Sequence, residues 1–277
     1  MQTVAGKKVL ITGAAMGMGR LYAQLAVKEG AAAVVLWDIN QKALDETATA
    51  LKAAGGTVHP YVVDVSSKDA TVAAAAKVQQ EVGDIELLFN NAGIVRGKYF
   101  WEHSDADIWL TMAINALAPM YIARAFLPKM LAGQAECRIV NIASAAGTVA
   151  NPRMSVYCSS KWAAIGWSDS LRLELQKAGY PHVRVTTVCP SYISTGMFEG
   201  ARGPLLTPLM TPEYVVDRVW QAMKRGTPML TLPWTVRLGM FCRGILPIWL
   251  WDFVAEHIFG VYKTMDEFKG RQPGVTS

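Results

Sequence analysis

From residue 8 onward, short runs of Val, Ile and Leu alternate with longer, Ala-rich stretches whose apolar positions recur at helical spacing. The continuous apolar runs predict strands near residues 9–12, 33–37, 58–63, 85–90, 137–142, 183–188 and 229–232. Between them, period and length predict helices near 17–29, 41–54, 68–82, 108–131, 155–178 and 212–225. Strands this apolar have no polar face to show to water, so both faces of their sheet must be covered. Strand and helix in alternation then imply right-handed crossovers and an α/β, doubly wound, mostly parallel seven-stranded sheet. No Gly/Ser/Pro-rich linker and no repeat divides the chain, so residues 1–277 are expected to form one domain. Its last part, about 233–277, reads as an apolar helical extension.

Composition narrows the class. The 277 residues are 52% apolar and 18% charged, with 23 Gly and 13 Pro, which allows a buried core and fits neither a disordered nor a collagen-like chain. The net charge of +5 is scattered without a run of five like charges, so no nucleic-acid partner is expected. Cys137, Cys158, Cys189 and Cys242 lie 21, 31 and 53 positions apart, which suits reduced thiols rather than a zinc, redox or disulfide framework. His59, His103, His182 and His257 share no ligand spacing, and no metal is expected. Residues 1–8 carry no apolar core with a basic flank, so no secretion signal or N-terminal anchor is expected there. The most apolar stretch, 229–262, is broken by Pro233, Arg237, Arg243, Pro247 and Asp252, and no transmembrane helix is expected. The expected location is cytoplasmic.

Thr12, Gly13, Ala14, Ala15, Met16, Gly17, Met18 and Gly19 join the first strand to the first helix. Glycines at such a turn let the backbone approach a pyrophosphate, and the helix N-terminus offers amides and positive partial charge. Alone, the run is also compatible with a tight turn. Asp38, however, closes the next strand 19 positions after Gly19, where a carboxylate accepts hydrogen bonds from adenosine ribose hydroxyls. Its charge repels a 2′-phosphate, and neither Ile39 nor Met16 offers a basic replacement, so NAD is favoured; Arg20 keeps NADP open. Asp64 and Val65 after the third strand suit contact with adenine or, equally, a helix N-cap region. Asn91, Ala92 and Gly93, after Asn90 and the fourth strand, allow close approach to the cofactor.

At the reacting end, Tyr157 and Lys161 are four residues apart on a predicted helix and share one face. Ser144 stands 13 positions before Tyr157, just past the fifth strand, in the crevice where doubly wound sheets bind ligands. A hydroxyl, a phenol and an ammonium thus converge. The segments 12–19 and 90–93, Asn115, Ser144, Tyr157 with Lys161, and the segment 190–195 together resemble the short-chain dehydrogenase/reductase family over roughly residues 5–225.

That resemblance implies a Rossmann domain and NAD(P)-dependent alcohol–carbonyl oxidoreduction. It assigns proton transfer to Tyr157, stabilisation of the substrate oxygen to Ser144, and both phenol activation and nicotinamide-ribose binding to Lys161. Asn115 would support a water between Lys161 and solvent. A nearby ammonium and oxidised nicotinamide are expected to favour the Tyr157 phenolate. Pro190, Ile193 and Thr195 would hold the carboxamide, with Ser191 where most members have Gly. Residues 196–212 correspond to a substrate lid whose Met197, Phe198, Leu205 and Leu206 are apolar. With Val95, Ala145, Val149, Met154 and Ser191, they outline the expected substrate pocket, and Tyr99, Phe100 and Trp101 lie on a neighbouring loop.

The expected substrate is a lipophilic or bulky alcohol or ketone, in keeping with a further likeness to the retinol and 17β-hydroxysteroid dehydrogenase subgroup. The tail residues Trp234, Phe241, Trp249, Trp251, Phe253 and Phe259, mixed with Arg237 and Arg243, have three roles open to them: peripheral membrane contact, a subunit contact, or a cap over the pocket. The resemblance implies a homodimer or homotetramer paired through the helices predicted at 108–131 and 155–178. An NADPH-dependent 3-oxoacyl-type or other ketone reductase and a non-catalytic dinucleotide sensor are the alternative functions.

Overall fold

The computed structural model describes residues 1–270. Seven strands, β1 Lys8–Thr12, β2 Ala33–Asp38, β3 Val58–Val62, β4 Leu87–Asn90, β5 Cys137–Ile142, β6 Val183–Pro190 and β7 Met229–Leu232, form one sheet in the order β3-β2-β1-β4-β5-β6-β7. Every neighbouring pair is parallel. The order reverses between β1 and β4, so the C-terminal ends of the strands open a crevice there. β3 carries Pro60, which a strand tolerates at the edge of a sheet, where an amide needs no partner.

Side-chain alternation along the strands divides the apolar residues between two cores. Val9, Ile11, Val34, Leu36, Leu87 and Phe89 face α1 Gly17–Lys28, α2 Gln41–Ala53 and α7 Pro212–Arg225. Leu10, Val35, Trp37, Leu88, Ile139 and Val185 face α3 Lys68–Glu81, α5 Ala118–Ala132 and α6 Ser155–Lys177. On the first face Tyr22, Phe89 and Trp220 stack in sequence, with ring centroids 4.9 and 5.6 Å apart.

The helix predicted at 108–131 begins earlier, as α4 Asp105–Met112, because Ser104 caps it: its Oγ accepts from the Asp107 amide at 3.1 Å. A π turn, Ala113–Leu117, joins α4 to α5. The run Asp105–Ala132 is long and apolar enough to cross a membrane, but half of its most apolar window is buried inside the protein. After β7 come α8 Trp234–Ile245, α9 Ile248–Phe253 and a π turn over Val254–Ile258, the expected helical extension. Its last residues, 271–277, lie outside the described residues.

A buried polar chain threads the second core. Asn90 Nδ2 donates to Asn141 Oδ1 at 2.8 Å, Asn141 Nδ2 to Ser168 Oγ at 2.8 Å, and Ser168 shares a hydroxyl bond with Thr187 at 2.7 Å. It ties β4, β5, α6 and β6 in the register that positions the crevice. Asn141→Ala would leave Asn90 Nδ2 without its acceptor and take one of two partners from Ser168, so urea unfolding should show a loss of about 2 kcal/mol.

Candidate active site

The turn after β1 is shaped by glycine. Gly13 and Gly17 have φ of +64° and +53°, and a Cβ on Gly19 would collide with the Gly13 carbonyl oxygen. Thr12 holds this turn to the end of β4: its Oγ1 accepts from the Asn91 and Ala92 amides, both at 3.0 Å, while Asn91 Nδ2 donates to the Thr12 and Gly13 carbonyls at 2.9 and 3.2 Å. Sequence reasoning placed Asn91 and Ala92 but gave Thr12 no role of its own; its small hydroxyl at the strand end was the available signal. Met16 offers no oxygen to cap α1, and the helix N-terminus faces the crevice with the macrodipole positive.

Asp38 closes this half of the site. Its Oδ2 accepts from the Ala15 amide at 2.9 Å and its Oδ1 from the Asn40 amide at 3.0 Å, leaving each oxygen further lone-pair capacity. Ile39 beside it is exposed. Asp64 accepts from the Ser66 amide and hydroxyl at 2.9 and 2.7 Å, ahead of Ser67, the N-cap of α3, with Val65 half-buried between. Gly93 is hemmed in by the other half: a Cβ there would sit 3.3 Å from Asn115 Oδ1 and 3.5 Å from Lys161 Nζ. A glycine cradle, a helix N-terminus and a carboxylate at the end of β2 fit a nicotinamide dinucleotide along this edge.

Tyr157 and Lys161 both lie on α6 and both are buried. Lys161 Nζ donates to the Ile142 carbonyl at the end of β5, 2.9 Å away, and stands 5.7 Å from the Tyr157 ring centroid. Burial pushes the ammonium down to about 8, partly opposed by the thiol of Cys189. Burial likewise raises the Tyr157 phenol far above its ordinary value; a hydrogen bond with Ser144 works against that rise. Burial outweighs that bond, so a phenolate would need positive charge beyond what is offset within this chain.

Ser144 Oγ accepts from the Ala146 amide at 3.1 Å and lies 3.5 Å from the Pro190 carbonyl. Asn115 sits in the π turn between α4 and α5, not in a regular helix. It grips the loop after β4: Oδ1 accepts from the Ile94 amide and Nδ2 donates to the Ile94 carbonyl, both at 2.9 Å. Nδ2 also donates to Ser160 Oγ at 3.0 Å, and Ser160 donates to the Tyr157 carbonyl at 2.7 Å. Ser160 escaped sequence reasoning because a serine between Tyr157 and Lys161 looks like an ordinary helix residue.

The segment after β6 turns back on itself. The Ser191 amide donates to the Leu232 carbonyl at 2.7 Å and the Thr195 amide to the Ile193 carbonyl at 2.8 Å, while Ile193 pairs with Met210. Ser191 needs no left-handed backbone: among the described residues only Arg153 and Leu206 are non-glycines with positive φ. The departure from Gly is thus accommodated.

An apolar cavity opens beside Ser144. Ala145, Val149, Met154, Ser191, Phe198 and Leu205 line it as expected, whereas Val95 and Met197 line a neighbouring cleft with Gly93 and Phe268. Tyr99, Phe100 and Trp101 line neither; they are exposed, with Tyr99 stacked on Trp101 at 4.9 Å. The tail supplies the rest of the wall, through Val236 and Gly239 of α8, Trp251 of α9, Phe259 and Thr264. Tyr192, Asn151 and Thr264 form a closed hydrogen-bonded set at its edge. Met265 packs on Tyr157 and Tyr192 in one buried cluster, with Phe198 edge-on to both rings. The tail thus walls this cavity on its inner side, while Trp234, Phe241, Trp249 and Phe253 are exposed on its outer side.

A family model described as short chain dehydrogenase matches residues 7–204. Epidermal retinol dehydrogenase 2 of Mus musculus is 37% identical over 274 residues, 98% of this chain and 88% of its own. Estradiol 17-beta-dehydrogenase 11 of Homo sapiens is 38% identical over 250 residues, 89% of this chain and 81% of its own. Among solved structures, a short chain dehydrogenase/reductase from Burkholderia phymatum in complex with NAD superposes with a TM-score of 0.80 at 28% identity, covering 88% of this chain and 96% of that one. A metagenomic short-chain oxidoreductase in complex with NADP gives 0.69 at 28% identity, covering 83% and 96%. With a matching family model over most of its length and relatives this similar across nearly all of it, the chain belongs to the short-chain dehydrogenase family.

Proposed function

We propose that this chain interconverts a lipophilic secondary or allylic alcohol and its carbonyl compound with NAD, using Ser144, Tyr157, Lys161 and Asn115. The observation that carries this reading is the hydrogen bond between the buried Tyr157 phenol and Ser144, which lines an apolar cavity, with the Lys161 ammonium 5.7 Å from the Tyr157 ring centroid. Retinol and estradiol in the relatives' names support a lipophilic alcohol as the substrate class.

In oxidation, Ser144 holds the substrate oxygen, Tyr157 accepts the hydroxyl proton, and the carbinol carbon loses hydride. In reduction, Tyr157 returns a proton to the carbonyl oxygen. The glycine turn, Asp38 and residues 190–195 would hold the dinucleotide, which would supply the hydride acceptor or donor and, when oxidised, a positive charge. Lys161 adds its own charge and would hold the nicotinamide ribose. Asn115 is a positioning residue, since it fixes the loop carrying Gly93 and, through Ser160, the backbone of Tyr157. Residues 196–212 form the lid within a single domain, and pairing through α4–α5 and α6, where Trp109, Leu117 and Leu173 are exposed, gives a homodimer or homotetramer.

The outer face of the tail supports peripheral membrane contact. Trp234, Leu238, Phe241 and Ile245 lie at successive helical positions on the exposed side of α8 and continue into Ile248, Trp249 and Phe253. Between residues 226 and 251 there is no Asp or Glu, while Arg237 and Arg243 are positive, a pattern that favours an anionic lipid surface.

Tyr157→Phe should lower kcat by about a thousandfold while leaving the NAD dissociation constant nearly unchanged, as read at 340 nm and by calorimetry. Because burial keeps the phenol protonated and only the phenolate accepts a proton, wild-type oxidation should climb from about pH 6 to about pH 8, where Lys161 begins to lose its charge, and reduction should not. Asp38→Ser should lower kcat/KM with NAD by about 10- to 100-fold and narrow the gap to NADP; an unchanged cofactor ratio would remove Asp38 from the ribose site. The wild type should co-sediment with vesicles containing phosphatidylserine, and a Phe241→Ser, Trp249→Ser double variant should stay in solution. Wild-type protein left in the supernatant would refute the lipid contact.

A further inference from the structure

Gly239 occupies the interior of α8, where helix propensity disfavours glycine and no cap or left-handed φ calls for it. It lines the same cavity as Ser144. A Cβ built on Gly239 would meet a single atom within 4 Å, Cη2 of Trp251 at 4.0 Å. Gly147, near Tyr157, is different: a Cβ there would press on Lys161 backbone atoms at 2.8 Å. The side chain missing at Gly239 therefore corresponds to open space in the cavity, not to close packing of helices. Trp251, only 3% exposed, closes that space from behind.

The location bears on the length of what can bind. Ser144 follows β5 and α8 follows β7, two strands further along the sheet, a separation of roughly 10 Å at ordinary strand spacing. Thr235, one turn before Gly239 and on the same side of α8, is bonded to Thr207 of the lid at 2.8 Å, which fixes this wall against segment 196–212.

We propose that Gly239, backed by Trp251, sets the length of substrate this site accepts. A substrate whose reacting oxygen lies at Ser144 extends its distal apolar end into the space beside Gly239. The class selected is the extended lipophilic alcohol, a long alkyl chain or a fused-ring skeleton, over compact alcohols. The inference rests on the alcohol–carbonyl reading for the identity of the reacting group, and on the cavity alone for its length.

The test uses the full chain with NAD, wild type against Gly239→Ala and Gly239→Leu, and a homologous series of linear secondary alcohols from butyl to dodecyl. Turnover and calorimetric affinity are measured for each. In Gly239→Leu, kcat/KM for the longest alcohols should fall at least about tenfold relative to the shortest, with Gly239→Ala between. Affinity should stop rising at a shorter chain than in the wild type. Both replacements favour helix more than glycine does, and a melting curve checks the fold. Should Gly239→Leu fail to fold, Trp251→Phe replaces it and should extend the preference towards longer chains. The same chain-length profile in wild type and variant overturns the proposal. A wild type that binds the series with this length dependence but turns none over rejects hydride transfer and leaves the length limit standing.

Discussion

A buried ammonium without a carboxylate partner is the constraint around which the site is organised. Lys161 Nζ has one hydrogen-bond partner, the Ile142 carbonyl, and among the described residues no carboxylate lies within ion-pairing distance of it. A charge held this way is costly, because a carbonyl dipole replaces only part of its hydration. The fall from 10.5 unfolded to about 8 folded amounts to about 3 kcal/mol. The sign follows from proton uptake: between those two values the unfolded chain binds more protons, so stability rises with pH there. Below about 8 the full cost is present. A pairing carboxylate would relieve it, but would also cancel the field that a phenol nearby needs.

That expense is tolerated because the rest of the fold is rigid where the charge sits. The carbonyl that holds Lys161 belongs to a central strand, fixed on one side by β4 and on the other by β6. The Asn90–Asn141–Ser168 chain fastens α6 to those strands, and Ser160 joins the backbone of Tyr157 to Asn115. Parallel pairing brings every strand's C-terminal end to one edge, so the glycine turn, Asp38, Gly93, Ser144 and Pro190 share a crevice although they are widely spaced in sequence. Largely apolar strands make that arrangement stable, since only a sheet covered on both faces can bury them.

What could be read from the sequence divides along the range of the interactions. Strand and helix positions, the glycine turn and the Ser144, Tyr157 and Lys161 spacing are local signals, and the structure brings those residues to one crevice. The start of α4 was missed because Ser104 and Asp107 form a cap that apolar periodicity does not register. The burial of Tyr157 was not legible for a longer-range reason: Met265 and Phe198, which share its buried cluster, come from the tail and from segment 196–212. Likewise Trp251 and Trp249 are two residues apart and chemically alike, yet one seals the cavity and the other faces out, a distinction made only by how α8 and α9 dock.

Segment 196–212 and the tail are also joined to each other through their backbones. The Leu205 amide donates to the Phe259 carbonyl at 2.8 Å, the Arg202 amide to the Thr264 carbonyl at 3.0 Å, and the Lys269 amide to the Glu199 carbonyl at 2.9 Å. The Arg202 guanidinium adds bonds to both oxygens of Glu267, each at 2.8 Å, though these are exposed and worth little by themselves. Backbone bonds in this number mean that moving segment 196–212 outward drags the residues from 259 to 270 with it. Since both segments pack on Tyr157, such a movement would rehydrate the phenol and lower its pKa towards the ordinary value. Tyr157 is therefore shielded from water by one set of contacts shared between segment 196–212 and the tail.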